Sequence, residues 1–277
     1  MTISVHTNQA AMVALQNLNK THDNLSDVQN RISTGLMVGS AKDNASVWAI
    51  AQGQRGDIGA LSAVKMSLDR AQSIAEVSMT AGESVSDLLV QLKEKVVSAQ
   101  DPSLDATSRG ALNADYKAVL RQITQVLQNA QFDGADILNG TTGSIRFLAN
   151  ADANAYITLS GQNMSLGGAI ITLGATSSIS TVTLAGTALT ALTASLSNVN
   201  QALGDLGAQA KQIEAHNKFI SKLSDVLQQG VGNLVDADVA KESARLQALQ
   251  VQQQLGTQAL SIANQSPQVI LSLFRGG

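Results

Sequence analysis

His6, His22 and His216 are the three imidazoles available for acid–base chemistry or zinc ligation. None stands four residues from another, and no H-E-x-x-H occurs, so the helix of a zinc hydrolase is absent. His22 falls on an apolar stripe and reads as a packed polar residue in a helix interface. Asp236 and Asp238, in "GNLVDADVAKE", could hold a hard cation between their oxygens. At the start of a helical run, though, the same pair suits the capping of free amides and the helix dipole. Asp43 in "SAKDNAS" reads the same way. No phosphate loop of the G-x-x-x-x-G-K-[ST] type occurs, and no G-x-S-x-G elbow. Cysteine is absent, which removes disulfides, thiolate metal sites and thiol nucleophiles. No catalytic, cofactor or metal site is therefore expected, and the chain does not read as an enzyme.

The composition points to shape and contact instead. Of the 277 residues, 44% are hydrophobic but only 3% aromatic and 14% charged, so the core must be thin and aliphatic. That suits long packed helices and repeated subunit contacts. The net charge is −3 and no basic block stands out, so nucleic acid and anionic membrane are not expected partners. The N-terminus lacks the basic and apolar regions of a secretory signal peptide, and no run of about 20 apolar residues is evident, so membrane insertion is not expected. The single tryptophan, Trp48 in "KDNASVWAIAQ", reads as a packing anchor at a junction.

Heptad spacing supplies the framework. Leu61, Val64, Leu68, Ala71, Ala75, Ser78, Gly82, Val85, Leu89, Leu92, Val96 and Ala99 step three and four without a break. Small residues in the middle allow close approach by a partner. Pro102 in "QDPS" ends the run. Leu112, Tyr116, Val119, Ile123, Val126 and Ala130 form a second seam, and Leu189, Leu192, Leu196, Val199, Leu203, Leu206, Ala210, Ile213, Asn217, Ile220, Ser224 and Leu227 a third. Residues 141–187 change character: Ser and Thr crowd them, only Arg146 and Asp152 are charged, and "SIRFL", "AYITLS", "AIITLG" and "SISTVTLAG" alternate as short strands do. The fold class expected is mainly α: a long antiparallel coiled-coil-like bundle with a small β-hairpin insert and paired N- and C-termini.

At the N-terminal end, Leu15, Leu18, His22, Leu25, Gln29 and Ile32 make one stripe. At the C-terminal end, Val235, Val239, Leu246, Leu249, Val251, Leu255, Leu260 and Ile262 do not fit a single face. A helix apolar on several sides needs cover on several sides, more than one antiparallel partner gives. The chain closes on "SPQVILSLFRGG", where Pro267 is expected to break the helix before an aliphatic plug containing Ile270, Leu273 and Phe274.

Two stretches carry a family resemblance. "RISTGLMVGSAKDNASVWAIA", after the opening "SVHTNQAAMVALQNL", resembles the N-terminal part of bacterial flagellins. "DADVAKESARLQALQVQQQLGTQALSIANQSPQVILSLFR" resembles their C-terminal part, through Asp236-Ala237-Asp238, Glu242, Gln250, Ala263-Asn264-Gln265, Pro267-Gln268 and the final Leu-Phe-Arg. The short insert and the Phe of the closing motif resemble the alphaproteobacterial type.

The resemblance implies a structural subunit that polymerises into the flagellar filament, extracellular and exported without a cleaved signal peptide. It implies partners: further copies in a helical homopolymer, hook-associated and cap proteins, and the export apparatus with a chaperone. Residues 1–40 plus 236–277 would form inner-tube helices, 41–140 plus 188–235 a shell bundle, and 141–187 a small β-rich surface insert. The assembly surface would use Leu15, Leu18, Leu25, Arg31, Ile32, Leu246, Leu249, Leu255, Ile262, Ile270, Leu273 and Phe274. A hook–filament junction protein, or a secreted effector with similar ends, is the alternative. Met37 stands where many members carry Arg or Lys. The patch read by the vertebrate Toll-like receptor for flagellin corresponds to Gln91, Glu94, Lys95 and Asp115. Gln91 and Lys95 replace the Arg and Leu of stimulating members, which implies weak receptor activation.

Overall fold

The computed structural model describes residues 7–275, with side chains described from Thr7 to Gln265. Five helices and one hairpin follow in order: α1 (Gln9–Thr34), α2 (Ala45–Ala99), α3 (Ala106–Asn129), β1 (Ser144–Leu148), β2 (Tyr156–Ser160), α4 (Val182–Val235) and α5 (Val239–Arg275). Two compact units result: residues 57–226, and residues 1–56 with 227–277.

In the 57–226 unit the long seam holds at every position. All twelve of its residues, Leu61 through Ala99, are buried. α4 runs antiparallel to α2. Asn217 Nδ2 donates to Asp69 Oδ1 at 2.5 Å, and Ser86 Oγ donates to Asn200 Oδ1 at 3.3 Å. Between those pairs, a Cβ placed on Gly82 would stand 2.7 Å from Leu203 Cδ2, so the small middle of the seam does admit the partner closely. α3 packs antiparallel to α2 as well, with Lys95 Nζ 3.2 Å from Asp115 Oδ2. Its start is capped by Asp105, whose side chain accepts from Ser108 N. Arg109 closes the turn between α2 and α3 by donating to the Ala99 and Asp101 carbonyls.

The insert differs in part from its sequence pattern. β1 and β2 form an antiparallel hairpin with Phe147 opposite Ile157 and Ile145 opposite Leu159. "AIITLG" and "TVTLAG" are not strands. In the former, Ile171 and Leu173 are buried while Thr172 is held by Ser195 and the Ala191 carbonyl of α4. The backbone is satisfied locally, by Gly167 N donating to the Ile171 and Leu173 carbonyls, so no ladder forms. "VTLAG" is the first turn of α4, started at Thr181, whose Oγ1 accepts from Leu184 N at 3.2 Å.

α4 therefore serves two surfaces. Leu192, Val199, Leu206, Ile213 and Ile220 are buried as the heptads require. Ala188, Ser195 and Ala202, one position off the expected seam, are buried too, while Leu189, Leu196 and Leu203 are half-buried. Small side chains there make room for the insert. α4 also contains an 18-residue window long and apolar enough to cross a bilayer by length and composition, where none was expected. Its apolarity comes from alanines and leucines interleaved with threonines, such as Thr187, Thr190 and Thr193, whose hydroxyls donate back to helix carbonyls.

The hairpin lies across α2 and α4. Ser67 Oγ accepts from Leu148 N at 3.2 Å, His216 Nε2 is 2.7 Å from the Ala149 carbonyl oxygen, and Gln209 Oε1 accepts from Ser160 N at 2.7 Å. His216 is thus a tether of the insert. Tyr116 of α3 meets Ser177 Oγ at 2.6 Å, and burial raises its phenol pKa above the ordinary value.

Candidate assembly surface

The unit formed by residues 1–56 and 227–277 is built on α1 and α5. α1 begins at Asn8, whose Oδ1 accepts from Ala11 N, and ends at Gly35, whose left-handed φ of 71° lets its N–H reach the Arg31 carbonyl. The chain then pairs briefly with itself. Leu36 bridges Asp236, Met37 N donates to the Val235 carbonyl at 2.7 Å, and Ala237 N donates to the Gly35 carbonyl at 2.8 Å. Met37 has its backbone fixed and its side chain exposed. Asp238 caps α5 through Lys241 N at 3.1 Å, as expected.

Asp236 does not cap; it occupies the bridge. Nor does Asp43 start α2, which Asn44 caps through Val47 N. Asp43 closes the preceding loop by accepting from Ser40 N, Ser40 Oγ and Gly39 N. Those hydrogen bonds, the Ser40 amide first, hold its pKa below the ordinary carboxylate value.

α5 returns antiparallel along α1. Three contacts fix the register. Arg31 Nη1 lies 3.4 Å from Glu242 Oε1. Leu18 Cδ1 would meet a Cβ on Gly256 at 3.2 Å. Asn8 Nδ2 donates to the Ala263 carbonyl at 2.7 Å. Glu242 is buried, and its second oxygen has no hydrogen-bond partner among the described residues.

The seam of α1 is shifted from the expected stripe. Leu18, Leu25 and Ile32 do lie on it, with Ala11 and Ala14 before them and Thr21 and Val28 between them; Thr21 and Val28 are buried. His22 and Gln29 are exposed, so His22 does not pack against α5 within the chain, and Leu15 is 47% exposed. The two stripes share every second member. Val28, apolar and three residues after Leu25, was the sign that favoured the true one.

The apolar residues of α5 divide into two faces. Leu246, Leu249, Gly256 and Leu260 turn toward α1, and Leu249 is buried. Val251, Leu255 and Ile262, spaced four and seven, form a second strip that is 54%, 59% and 69% exposed. Met12, Val13, Leu15 and Val239 add further exposed apolar surface. The helix runs unbroken through Pro267 to Arg275, contrary to the expected break. Proline deletes one helical hydrogen bond, that to the carbonyl four residues back, and leaves its neighbours' bonds in place. The side chains of Ile270, Leu273 and Phe274 lie outside the described residues.

The positions expected to correspond to the receptor patch sit on α2 and α3. Gln91 and Glu94 are exposed, and Lys95 is held by Asp115.

Comparison with known proteins fits this architecture. Residues 5–143 match the family model of the bacterial flagellin N-terminal helical region, and residues 189–274 that of the C-terminal helical region. Flagellin FljJ of Caulobacter vibrioides is 55% identical over 282 residues, covering 100% of each chain. A flagellin of Brucella melitensis is 40% identical, covering 99% of each. Among solved structures, Bacillus cereus flagellin superposes with a TM-score of 0.51 at 18% identity, over 56% of this chain and 88% of that one, a likeness of fold. Two helical end regions in the flagellin order, joined by a short insert and matched over their whole length, show that the chain belongs to the bacterial flagellin family, in its alphaproteobacterial form.

Proposed function

We infer that this flagellin builds the flagellar filament by burying the outward faces of α1 and α5 against neighbouring copies. The observation that carries this is the second apolar strip of α5. Val251, Leu255 and Ile262 stand in line, more than half exposed, on a helix whose other face is already occupied by α1. Contiguous exposed apolar surface of this kind marks an interaction site. Each such side chain contributes about 1.5–3 kcal/mol when fully buried, partly offset by the loss of subunit freedom. Copies of one chain joined head to tail by contacts that do not close give a helical polymer.

Within that polymer, residues 1–40 and 236–277 supply the inner layer and the helices of 41–140 and 188–235 the shell. The insert 141–187 faces outward. Catalysis has no part in this role. The exposed terminal helices also suit transient cover by an export chaperone, delivery through the flagellar export apparatus, and contact with hook-associated and cap proteins at the filament ends. Export proceeds without cleavage of a signal peptide. The Gln91 and Lys95 substitutions favour weak activation of the vertebrate flagellin receptor.

Removing residues 264–277 tests the reading. The shortened chain should remain a soluble helical subunit that does not elongate filament seeds. Normal filaments in electron micrographs would overturn it.

A further inference from the structure

The exposed face of α2 is electrically divided along its length. Between Arg70 and Lys93 there is no lysine or arginine, while Glu76, Glu83 and Asp87 are all exposed. At 100° per residue these three fall within about 40° of one another on the helix, so they form one acidic stripe. Lys65 belongs to the same strip of α2, three turns before Glu76. Beside it, α4 presents Lys218 and Lys222, one and five residues after Asn217, whose side chain donates to Asp69. Lys65, Lys218 and Lys222 line one open hollow of about 530 Å³.

These charges are largely unspent within the chain. Among the described residues the ion pairs are Arg31–Glu242, Arg70–Asp133, Lys95–Asp115 and Lys218–Glu214. Glu214 therefore tempers the basic cluster, and among the described residues the Asp69 carboxylate accepts only from Asn217. Among the described residues Lys65, Lys222, Glu83 and Asp87 have no ionic partner, and the Glu76 carboxylate accepts only from Gln72 Nε2.

We propose that the Lys65–Lys218–Lys222 cluster of one subunit docks on the Glu76–Glu83–Asp87 stripe of a second copy, setting the axial stagger between laterally adjacent subunits. The proposal rests on the self-assembly reading above and adds a second, electrostatic surface to it. The centres of the two charge groups lie about 16 residues apart on α2, which is about 24 Å of helix. Two copies lying side by side in the same direction bring the basic cluster of one against the acidic stripe of the other only when one is displaced by that distance, which leaves the remaining pair of groups for further copies. Placed level, they oppose like to like, which costs affinity. The same face thus attracts at one stagger and repels at the other, and because the contact is heterologous it propagates.

Seeded elongation of the full-length chain tests this. Lys218→Glu with Lys222→Glu should slow elongation roughly three- to tenfold at low salt, as should Glu76→Lys with Glu83→Lys. The four-residue exchange restores complementarity with reversed sign and should recover to within about twofold of wild type. Raising sodium chloride from about 50 to 300 mM should slow the wild type, since salt screens exposed charge, whereas purely apolar assembly would not slow. Circular dichroism of each free variant checks that the helices persist, and Lys218→Gln with Lys222→Gln, expected to slow elongation less than reversal, serves if reversal unfolds the chain. Wild-type elongation in either pair variant, or a four-residue exchange no faster than the slower pair, overturns the proposal. Failure of the wild type to elongate its own seeds would instead overturn the self-assembly reading.

Discussion

Asn8 Nδ2 donates to the carbonyl oxygen of Ala263 at 2.7 Å, and Ala263 is the residue that Pro267 leaves without its helical donor. With any other residue at 267 that carbonyl would accept from its backbone nitrogen, which in proline carries no hydrogen. The other end of the same amide, Oδ1, caps α1 through Ala11 N at 3.1 Å. One side chain satisfies the start of one helix and the defect in the other. Since the oxygen must face Ala11, the amide can take only one orientation.

Asn8→Asp should separate the two roles. The carboxylate still caps α1, but it cannot donate to Ala263. The expected cost is about 1–2 kcal/mol of filament stability, read as a roughly five- to thirtyfold rise in critical concentration. In a Pro267→Ala background the backbone supplies the missing donor, and the cost should shrink. Equal costs in both backgrounds would show that Asn8 does not serve Ala263.

Two glycines should respond in opposite directions. Gly59 lies exposed on α2 with nothing within 4 Å of an added Cβ. Gly59→Ala should stabilise the subunit by about 0.5–1 kcal/mol, through helix propensity and a less free unfolded chain. Gly82→Val instead drives branched atoms into Leu203, already 2.7 Å from the Cβ position. It should cost about 1–3 kcal/mol. Urea unfolding of the free subunit measures both.

The cap of α3 has a pH signature. Hydrogen bonds from Ser108, side chain first and then amide, lower the Asp105 pKa from its ordinary 3.8. A carboxylate whose pKa is lower folded than unfolded stabilises the fold above the unfolded value. That contribution fades as pH falls below 3.8 through the folded value. Asp105→Asn keeps the cap without the charge. Its thermal midpoint should fall less steeply than that of the wild type between about pH 4 and pH 2. Identical slopes would remove Asp105 from the acid response.

The receptor patch offers a cellular readout. Gln91 and Glu94 are exposed on α2, and Lys95 is engaged by Asp115. Gln91→Arg with Lys95→Leu would supply the residue types that the resemblance implies for stimulating flagellins. It should raise the reporter-cell response at least tenfold above a weak wild-type response, since guanidinium makes a bidentate contact that the Gln amide cannot. A wild-type response already equal to that of a strongly stimulating flagellin would contradict the assignment.

The long seams were legible because their periodicity is sustained. The run from Leu61 to Ala99 repeats three and four too many times to suit any other face, and every member is buried. The short stripe of α1 was ambiguous: two faces share Leu18, Leu25 and Ile32, and only the contact with α5 decides between Val28 and Gln29. The β pattern failed at "AIITLG" because alternation reports which side chains are buried and not whether a neighbouring strand exists. Ile171 and Leu173 are buried without a ladder. Asp43 and Asn44 are adjacent and both able to cap, so composition alone could not choose between them. The contact of Asn8 with Ala263 joins residues 255 positions apart and leaves no local trace.

The outward strip of α5 carries the assembly account, and one measurement addresses it most directly. Leu255→Lys and Ile262→Lys replace side chains that are 59% and 69% exposed, so the α1–α5 pair should be undisturbed. Seeded growth of that full-length variant, followed by electron microscopy with circular dichroism on the free subunit, is the test. A helical, monomeric chain that adds no length to wild-type seeds is the result expected. Filaments that elongate at the wild-type rate would show that this strip is not a subunit contact.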